Sequence, residues 1–330
     1  MIKDTRPTLA ATALTALLAA ASGADARAET EEARPELTIA QRTRAAERTA
    51  QEDPACVAVK PFYWSIGDAG GLQAQGRVGL GAPRADTRMP IASASKLVYG
   101  AYVVQKHGGQ LSAQDIRYLT FTSGYTDFDH CRKGQTVAEC DAWRHNGDYE
   151  PANHGKFYYN GGHMQKQAVV DGEGPDDSAE LARRVNAMLG TDFTYVQPQL
   201  AGGISATPAG YGRFLQRIVS GELRMHDALG THAVCTNPAT CPTAVYSPMS
   251  QDESPHYSIG HWVEDDPANG DGAFSSAGAF GFYPWIDRRE NWWGVLARLD
   301  LNTRTQPGPG VESLYCGRRI RAAWVTGIPS

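Results

Sequence analysis

The sequence predicts an α/β (α+β) fold, in which an antiparallel sheet built from both ends of the chain is flanked by helices. Strand-like segments occur near the start of the domain and again after residue 257. Between them, residues 110–235 lack long strand patterns and carry helix signals instead. Strands at both ends with helices between them predict one sheet and an inserted all-helical lobe.

The first part of the domain contains two predicted helices and a hairpin. A surface helix is predicted over residues 37–50, and Pro54 ends it. Residues 57–66 and 72–78 flank a glycine-rich turn, which predicts a β-hairpin. The segment 93–104 is apolar on nearly every side, which predicts a buried helix.

Later elements follow from caps and alternation. Thr207 and Pro208 are typical of an N-cap and a first helical turn, and residues 178–189 predict another helix. Three strands and a closing helix are predicted after residue 257, over residues 258–263, 278–286, 292–301 and 310–325. The predicted organisation is a sheet subdomain of residues 55–106 and 240–330 with a helical lobe of residues 107–239.

Residues 1–28 are predicted to be a signal peptide. Lys3 and Arg6 precede an apolar run over residues 9–21, and Ala24-Asp25-Ala26 or Ala26-Arg27-Ala28 offers small residues for cleavage. A membrane anchor is the alternative, but a run of about 13 apolar residues is too short to span a bilayer comfortably. Residues 29–330 are therefore predicted to be a periplasmic or secreted domain without a stable membrane span.

Charge and cysteine content narrow the function classes further. The net charge of −5 and the lack of a basic run give no support for nucleic-acid binding. Six cysteines in an exported chain indicate disulfides rather than metal or thiol chemistry. Fifteen pairings are possible in principle, and local spacing favours Cys131–Cys140 and Cys235–Cys241, which leaves Cys56–Cys316. No metal site and no cofactor are predicted, and we interpret the Asp127-Phe128-Asp129-His130 segment as a solvated loop.

A Ser-x-x-Lys pattern, Ser93-Ala94-Ser95-Lys96, is the first candidate for chemistry. Residues three apart share a helix face, so the Ser93 hydroxyl and the Lys96 amine are expected to lie within hydrogen-bond reach. The positive end of the helix and burial both disfavour a protonated amine, and a neutral amine can take the serine proton. An ordinary amphipathic helix start is the alternative interpretation of this tetrapeptide.

The segment Phe157-Tyr158-Tyr159-Asn160-Gly161-Gly162-His163 is the second candidate. A tyrosine near a lysine ammonium can have a lowered pKa and relay protons, which makes Tyr158 a candidate proton shuttle. The amide of Asn160 is a candidate contact for a substrate carbonyl and for the lysine. A loop tyrosine without a catalytic role is the alternative.

The third candidate is the small-residue segment 275–281, at the start of a predicted strand. Ser276, Gly278 and Ala279 would let a substrate lie along the strand edge. The backbone N–H groups of Ser93 and Ala279 are a candidate oxyanion hole, with two donors aimed at a tetrahedral oxygen. Tight backbone packing is the alternative explanation for so many small residues.

Taken in order, these segments resemble the serine β-lactamase-like superfamily, which includes class C β-lactamases, serine D,D-peptidases, family VIII carboxylesterases and 6-aminohexanoate-dimer hydrolases. The resemblance extends over about residues 55–325 and includes segments 115–124, 157–164, 201–207 and 257–262. It implies a β-lactamase/transpeptidase-like fold and hydrolysis through an acyl-enzyme. It also implies that Ser93 is the nucleophile, Lys96 its base, Tyr158 the proton shuttle and Asn160 the amide contact.

The third motif departs from the superfamily pattern. β-Lactamases and D,D-peptidases usually have Lys-Thr-Gly or His-Thr-Gly there, and many esterase relatives have His-x-Gly, whereas this chain has Ser276-Ala277-Gly278. The cation that would bind a substrate carboxylate is missing, unless Arg213 or Arg298 reaches in. Candidate apolar walls are Phe128, Trp143, Tyr159, Trp262, Phe282 and Trp285, and at least half of these six are expected to be ordinary core residues instead.

The leading hypothesis is an exported serine hydrolase of carboxylesterase or amidase type, acting on a small-molecule ester or amide. The alternative is a D,D-peptidase, a D-aminopeptidase or a weak β-lactamase acting on peptidoglycan-like substrates. A third possibility is a catalytically silent relative that serves as a binding or sensor module. The sequence predicts no oligomeric state.

Overall fold

A computed structural model describes residues 37–330, so the predicted signal peptide over residues 1–28 lies outside the described residues. The helices of the described chain are α1 (Ile39–Glu52), α2 (Pro54–Ala58), α3 (Ser95–Lys106), α4 (Ala113–Leu119), α5 (Val137–Asp141), α6 (Gly162–Ala168), α7 (Ser178–Leu189), α8 (Pro208–Val219), α9 (Met225–Ala228) and α10 (Pro309–Thr326). Side-chain caps explain several helix starts. The Thr207 hydroxyl accepts from Gly210 N at the start of α8, as the sequence predicts.

The strands are β1 (Phe62–Asp68), β2 (Gly71–Val78), β3 (Met89–Pro90), β4 (Phe157–Tyr158), β5 (Thr194–Tyr195), β6 (Ile204–Ala206), β7 (Val234–Cys235), β8 (Ala244–Tyr246), β9 (His256–Tyr257), β10 (Trp262–Glu264), β11 (Ala273–Ser275), β12 (Tyr283–Ile286) and β13 (Trp293–Ala297). Eight of them form one sheet in the order β2-β1-β13-β12-β11-β10-β9-β7. Every neighbouring pair in this sheet is antiparallel. The predicted α/β fold with an antiparallel sheet drawn from both chain ends is confirmed.

Helices cover both faces of this sheet, because alternate strand residues point to opposite sides. On β1, Phe62, Trp64 and Ile66 pack in one core cluster with residues of α1, α2 and α10. Tyr63, between them, belongs to the larger cluster that includes residues of α3 and α8. The sheet is therefore the middle layer of three, and helix α3 packs in the larger core.

The predicted hairpin begins later than expected. Residues 57–66 are predicted as a strand, but Pro54–Ala58 is the helix α2 and the strand starts at Phe62. The Asp53 carboxylate accepts from Ala55 N, and Pro54 occupies the first turn. An aspartate cap followed by proline favours a helix start at this point, which overrides the strand propensity of the next residues.

The middle of the chain is mainly helical but not entirely so. Short strands β4 to β7 lie within the predicted lobe of residues 107–239, and β7 forms the edge of the main sheet. Helix α8, in the same stretch, packs against β1 and β13. The predicted all-helical lobe therefore contains short strands, of which β7 belongs to the main sheet and β4, β5 and β6 belong to two smaller sheets.

The three predicted disulfides are present: Cys131–Cys140 and Cys235–Cys241, which local spacing favours, and the remaining pair Cys56–Cys316. The first connects α2 to α10 across a sequence separation of 260 residues. Disulfides are consistent with an extracellular location. Among residues 37–330, no helix combines the length and the apolar character that a membrane crossing requires.

Candidate active site

Ser93 lies in a short 3-10 turn, Ala92–Ala94, that leads directly into α3. Ala92 has a φ of 45°, a left-handed conformation that is unfavourable for a residue with a Cβ atom. Two contacts fix this turn: the Tyr211 hydroxyl donates to Ala94 O at 2.7 Å, and Ile204 N donates to Ser95 Oγ at 3.2 Å. The backbone around Ser93 is therefore held from α8 and β6.

Lys96 lies one helical turn beyond Ser93 and is directed at its hydroxyl. Lys96 Nζ is 2.8 Å from Ser93 Oγ and donates to Ala201 O at 2.8 Å. The lysine is 5% exposed, and burial lowers the pKa of its amine to about 7. A large share of Lys96 is therefore neutral near pH 7 and able to accept the serine proton.

The tyrosine beside this pair is Tyr159, not the predicted Tyr158. Lys96 Nζ lies 4.9 Å from the centre of the Tyr159 ring. Burial raises the pKa of the Tyr159 phenol to about 12, and hydrogen bonding to Ser93 and Trp262 acts in the opposite direction. Its ring stacks on Trp262 with centres 5.3 Å apart, which fixes the phenol next to Ser93.

The Tyr158 ring lies on the opposite side of this segment from Tyr159, because successive residues of an extended segment face opposite sides. Its ring lies against Tyr246, with centres 5.4 Å apart. Phe157 and Tyr159, on either side of it, both pack against Trp262. The structure thus brings Tyr159, and not the predicted Tyr158, into contact with the Ser93–Lys96 pair.

A buried histidine holds this tyrosine segment in place. His163 Nε2 donates to Tyr158 O at 3.0 Å, and the Ser123 hydroxyl donates to His163 Nδ1 at 2.6 Å. Burial lowers the pKa of His163 to about 3, so the ring is neutral and can carry out both roles at once. His163 is therefore a positioning residue for the segment that carries Tyr159.

Asn160 has a backbone role rather than the predicted contact with the lysine. Its Oδ1 accepts from Gly162 N at 2.8 Å and Phe128 N at 3.2 Å, and its Nδ2 donates to Phe128 O at 3.2 Å. Both ends of the amide are thus used to hold the loop at Phe128. This geometry departs from the prediction, since a substrate would have to displace these bonds.

The predicted third segment lies against the nucleophile turn, but its residues divide into two groups. The Ser276 hydroxyl donates to Ser93 O at 3.0 Å, so it holds the backbone of the Ala92–Ala94 turn. A Cβ atom on Gly278 would lie 2.1 Å from Ile91 O, so only glycine permits this approach. Ala279 lines the same cavity as Ser93. Ser276 is therefore hydrogen-bonded to the turn and Gly278 packs against it, whereas Ala279 is the one of the three that lines the cavity.

Ser93 opens into a cavity of about 410 Å³. Tyr159 and Trp262 line it together with residues of the segments 246–249 and 303–311, whose sequences carried no recognisable signal. Of the six predicted apolar walls, only these two aromatics line the cavity, and Phe282 and Trp285 are core residues instead. Among the described residues, none that lines the cavity is an acid, a lysine, an arginine or a histidine.

Neither arginine proposed as a replacement cation reaches this cavity. Arg213 is exposed, and its Nη2 lies 3.2 Å from Asp192 Oδ2. Arg298 is 6% exposed and forms ion pairs with Glu312 and Asp300. The cavity that Ser93 lines therefore offers neutral polar and apolar contacts to a bound molecule, and Lys96 is buried next to Ser93.

Comparisons of sequence and of structure give different results. No family model matches the sequence. No curated protein matches it either. Solved structures, in contrast, match over most of the chain despite low sequence identity.

Three of these structures illustrate the similarity. The hydrolase EstCE1, described as having promiscuous acyltransferase activity, has a TM-score of 0.62 at 12% identity, covering 86% of this chain and 98% of its own. D-amino acid amidase from Ochrobactrum anthropi SV3 has a TM-score of 0.61 at 13% identity, with 85% and 98% covered. A β-lactamase from Mycobacterium bovis has a TM-score of 0.54 at 15% identity, with 82% and 96% covered. This chain therefore has the fold of the serine β-lactamase-like superfamily.

Proposed function

We propose that the protein is an exported serine hydrolase that cleaves uncharged ester or amide bonds through an acyl-enzyme on Ser93. One observation carries the proposal: the buried Lys96 amine, with a pKa lowered to about 7, lies 2.8 Å from Ser93 Oγ in an accessible cavity. A buried lysine without a carboxylate partner is costly, so such an arrangement is expected where a neutral amine is needed.

In the first step, Ser93 Oγ attacks the substrate carbonyl while its proton passes to the neutral amine of Lys96. The carbonyl oxygen becomes an oxyanion, for which the N–H groups of Ser93 and Ala279 are the proposed donors. The bond to the leaving group then breaks. The proton held by Lys96 is passed to the departing alcohol or amine, with the Tyr159 phenol as the proposed relay.

In the second step, water attacks the acyl-enzyme carbonyl. Lys96, neutral again, takes a proton from this water directly or through Tyr159, and the oxyanion donors act a second time. Collapse of the tetrahedral intermediate releases the carboxylic acid and returns a proton to Ser93 Oγ. No cofactor and no metal ion takes part in the proposed reaction.

The charge of the cavity supports uncharged substrates. A buried carboxylate needs a charged or multiple-donor partner, and a buried ammonium needs an anionic or multiple-acceptor partner. No cavity-lining residue among residues 37–330 supplies an ionised group, and Ser276 holds the position of the missing third-motif cation. Anionic β-lactams and peptides with a free carboxyl terminus therefore fit the cavity less well than neutral esters.

Two experiments test the proposal on the purified mature protein. A fluorophosphonate probe should label Ser93, and Ser93→Ala should abolish both labelling and ester turnover while the far-UV circular dichroism is unchanged. Turnover of p-nitrophenyl butyrate should exceed that of the p-nitrophenyl hemisuccinate ester, which adds a carboxylate at similar length.

Two outcomes would contradict the proposal. An unlabelled Ser93 would favour a silent binding module, and rapid turnover of a chromogenic cephalosporin would contradict the preference for uncharged substrates.

Export is part of the same proposal. The basic and apolar pattern of residues 1–28 and the three disulfides both support a periplasmic or secreted location. N-terminal sequencing of the protein recovered from periplasm or medium should begin after Ala26 or Ala28. Recovery of the uncleaved chain from the cytoplasm would contradict this assignment.

A further inference from the structure

We infer that Arg298 is a positioning residue, which holds the turn carrying Ala279 at the distance from Ser93 that the oxyanion hole requires. The inference rests on the proposed function, since it concerns the same reaction. Arg298 follows directly after β13 and is 6% exposed. A buried guanidinium with several fixed partners can join segments that are far apart in sequence.

The guanidinium of Arg298 joins the end of β13 to the first turn of α10. Its Nε donates to Ser313 Oγ at 3.0 Å, and its Nη2 donates to Pro309 O at 3.1 Å and to Glu312 Oε2 at 2.5 Å. Its Nη1 lies 3.3 Å from Asp300 Oδ2. Three of these four partners lie in the first five residues of α10, so Arg298 fixes where that helix begins.

The first turn of α10 packs directly on the turn that carries Ala279. A Cβ atom on Gly310 would lie 2.6 Å from Gly278 O and 3.5 Å from Ala279 Cα, so the two backbones are in close contact. A Cβ atom on Gly281 would lie 2.6 Å from Arg298 Cγ. In addition, Asp300 N donates to Phe280 O at 2.9 Å. Arg298 and its partners thus hold this turn from one side.

The opposite side of the same turn touches the nucleophile segment, through the contact of Gly278 with Ile91 O and the hydrogen bond from Ser276 to Ser93 O. The turn is therefore held between the Arg298 cluster and the backbone of Ser93. A shift of the cluster would move the N–H of Ala279 relative to Ser93. Oxyanion donors act only at hydrogen-bond distance from the developing charge, so such a shift would reduce the rate of the chemical step.

The test compares Arg298→Gln and Arg298→Lys with the matched surface variant Arg213→Gln. Active sites are first counted with a fluorophosphonate, so that kcat for p-nitrophenyl butyrate refers to folded enzyme only. We expect Arg298→Gln to lower kcat per site by about 10²-fold with little change in KM, and to raise the Ki of butylboronic acid by a similar factor. The kcat per site of Arg298→Lys should lie between those of Arg298→Gln and the wild type, because lysine keeps the positive charge but lacks the planar guanidinium group. Arg213→Gln should resemble the wild type.

Ser313→Ala provides a milder variant should Arg298→Gln fail to fold, since it removes only the partner of Nε. Ser313→Ala should also lower kcat per site, but only several-fold. Unchanged kcat and unchanged boronate affinity in the folded Arg298 and Ser313 variants would overturn the inference while leaving the proposed function intact. A wild-type protein that neither hydrolyses p-nitrophenyl butyrate nor is labelled on Ser93 by the fluorophosphonate would overturn both.

Discussion

The amine of Lys96 lies 4.9 Å from the ring centre of Tyr159, a residue one position later than the tyrosine that the motif spacing suggested. The same amine is 2.8 Å from Ser93 Oγ. A serine and a phenol that line one cavity and a lysine buried beside them are thus gathered together, although they come from the turn and helix at residues 92–106 and from the loop after β4. Because the three side chains are in contact, a change in any one of them should alter the activity.

Replacing each tyrosine by phenylalanine distinguishes their roles. Tyr159→Phe keeps the ring that stacks on Trp262 but removes the phenol, and it should lower kcat/KM for p-nitrophenyl butyrate by about 10²-fold. Tyr158→Phe is the matched control and should stay within about threefold of the wild type, because its ring faces Tyr246 instead. The reverse order of the two effects would restore Tyr158 as the proton shuttle.

The pH profile of the reaction should report the lowered pKa of Lys96. The amine must be deprotonated to accept the serine proton, so kcat/KM should rise with pH through a midpoint of about 7. Steady-state rates with p-nitrophenyl butyrate between about pH 5 and about pH 9 would locate this midpoint. A flat profile, or a midpoint near the ordinary lysine value, would contradict the role of Lys96 as a neutral base.

Burial of Lys96 should also affect stability in a pH-dependent manner. The native amine loses its proton above about pH 7, whereas the unfolded lysine keeps it up to its ordinary pKa near 10.5. Between these values the unfolded state binds more protons, so this residue makes the protein more stable as pH rises. The effect is at most about 1.4 kcal/mol of unfolding free energy for each pH unit.

Lys96→Met removes this titration and serves as the reference. Urea unfolding of both proteins at several pH values above about 7 should show the unfolding free energy of the wild type rising relative to that of the variant. A constant difference across this range would indicate that the amine keeps an ordinary pKa in the folded protein.

Gly278 is the position where an added methyl group should be most damaging to the site. In Gly278→Ala the Cβ atom would lie 2.1 Å from Ile91 O, a backbone atom that can move only together with the nucleophile turn. We expect a loss of stability of about 2 kcal/mol and a fall in kcat of about tenfold or more. Thermal unfolding and ester turnover measure the two effects separately.

Gly174→Ala is the control for that substitution. Gly174 is buried, but the nearest atom to its added Cβ is a side-chain methyl of Ala138 at 3.5 Å, an ordinary contact. This variant should keep the activity and nearly all of the stability of the wild type. Equal behaviour of the two alanine variants would show that the turn at Gly278 adapts without loss of function.

Local sequence patterns predicted the elements whose geometry depends on near neighbours. The i to i+3 spacing of Ser93 and Lys96 is set by helical geometry alone, and it places the two groups together as expected. The N-cap at Thr207 and the alternation of side chains along β13 likewise depend only on residues close together in the sequence. The helix at Pro54–Ala58 was missed because its cap was not recognised before a strand-like run.

Residues in loops could not be assigned in this way. Which of two adjacent tyrosines faces Ser93 depends on the pairing of β4 with β8, a strand about 90 residues later in the chain. A shift of this pairing by one residue would exchange the sides on which Tyr158 and Tyr159 lie. Asn160 bonds to the backbone at Phe128, and no short spacing indicates that partner. The segments 246–249 and 303–311 likewise become cavity walls only when the chain is folded.

By itself, the sequence indicated the fold class, the cysteine pairs Cys131–Cys140 and Cys235–Cys241 and the proximity of Ser93 to Lys96, because each depends on periodicity or short spacing. The pair Cys56–Cys316 followed only because these two cysteines remained. The tertiary structure decided that Tyr159 lies beside Lys96, that Ser276 and Asn160 bond to the backbone, and that Arg298 is held by its partners and does not line the cavity. These outcomes depend on contacts between residues far apart in the chain, where small differences in packing decide which side chain reaches the site.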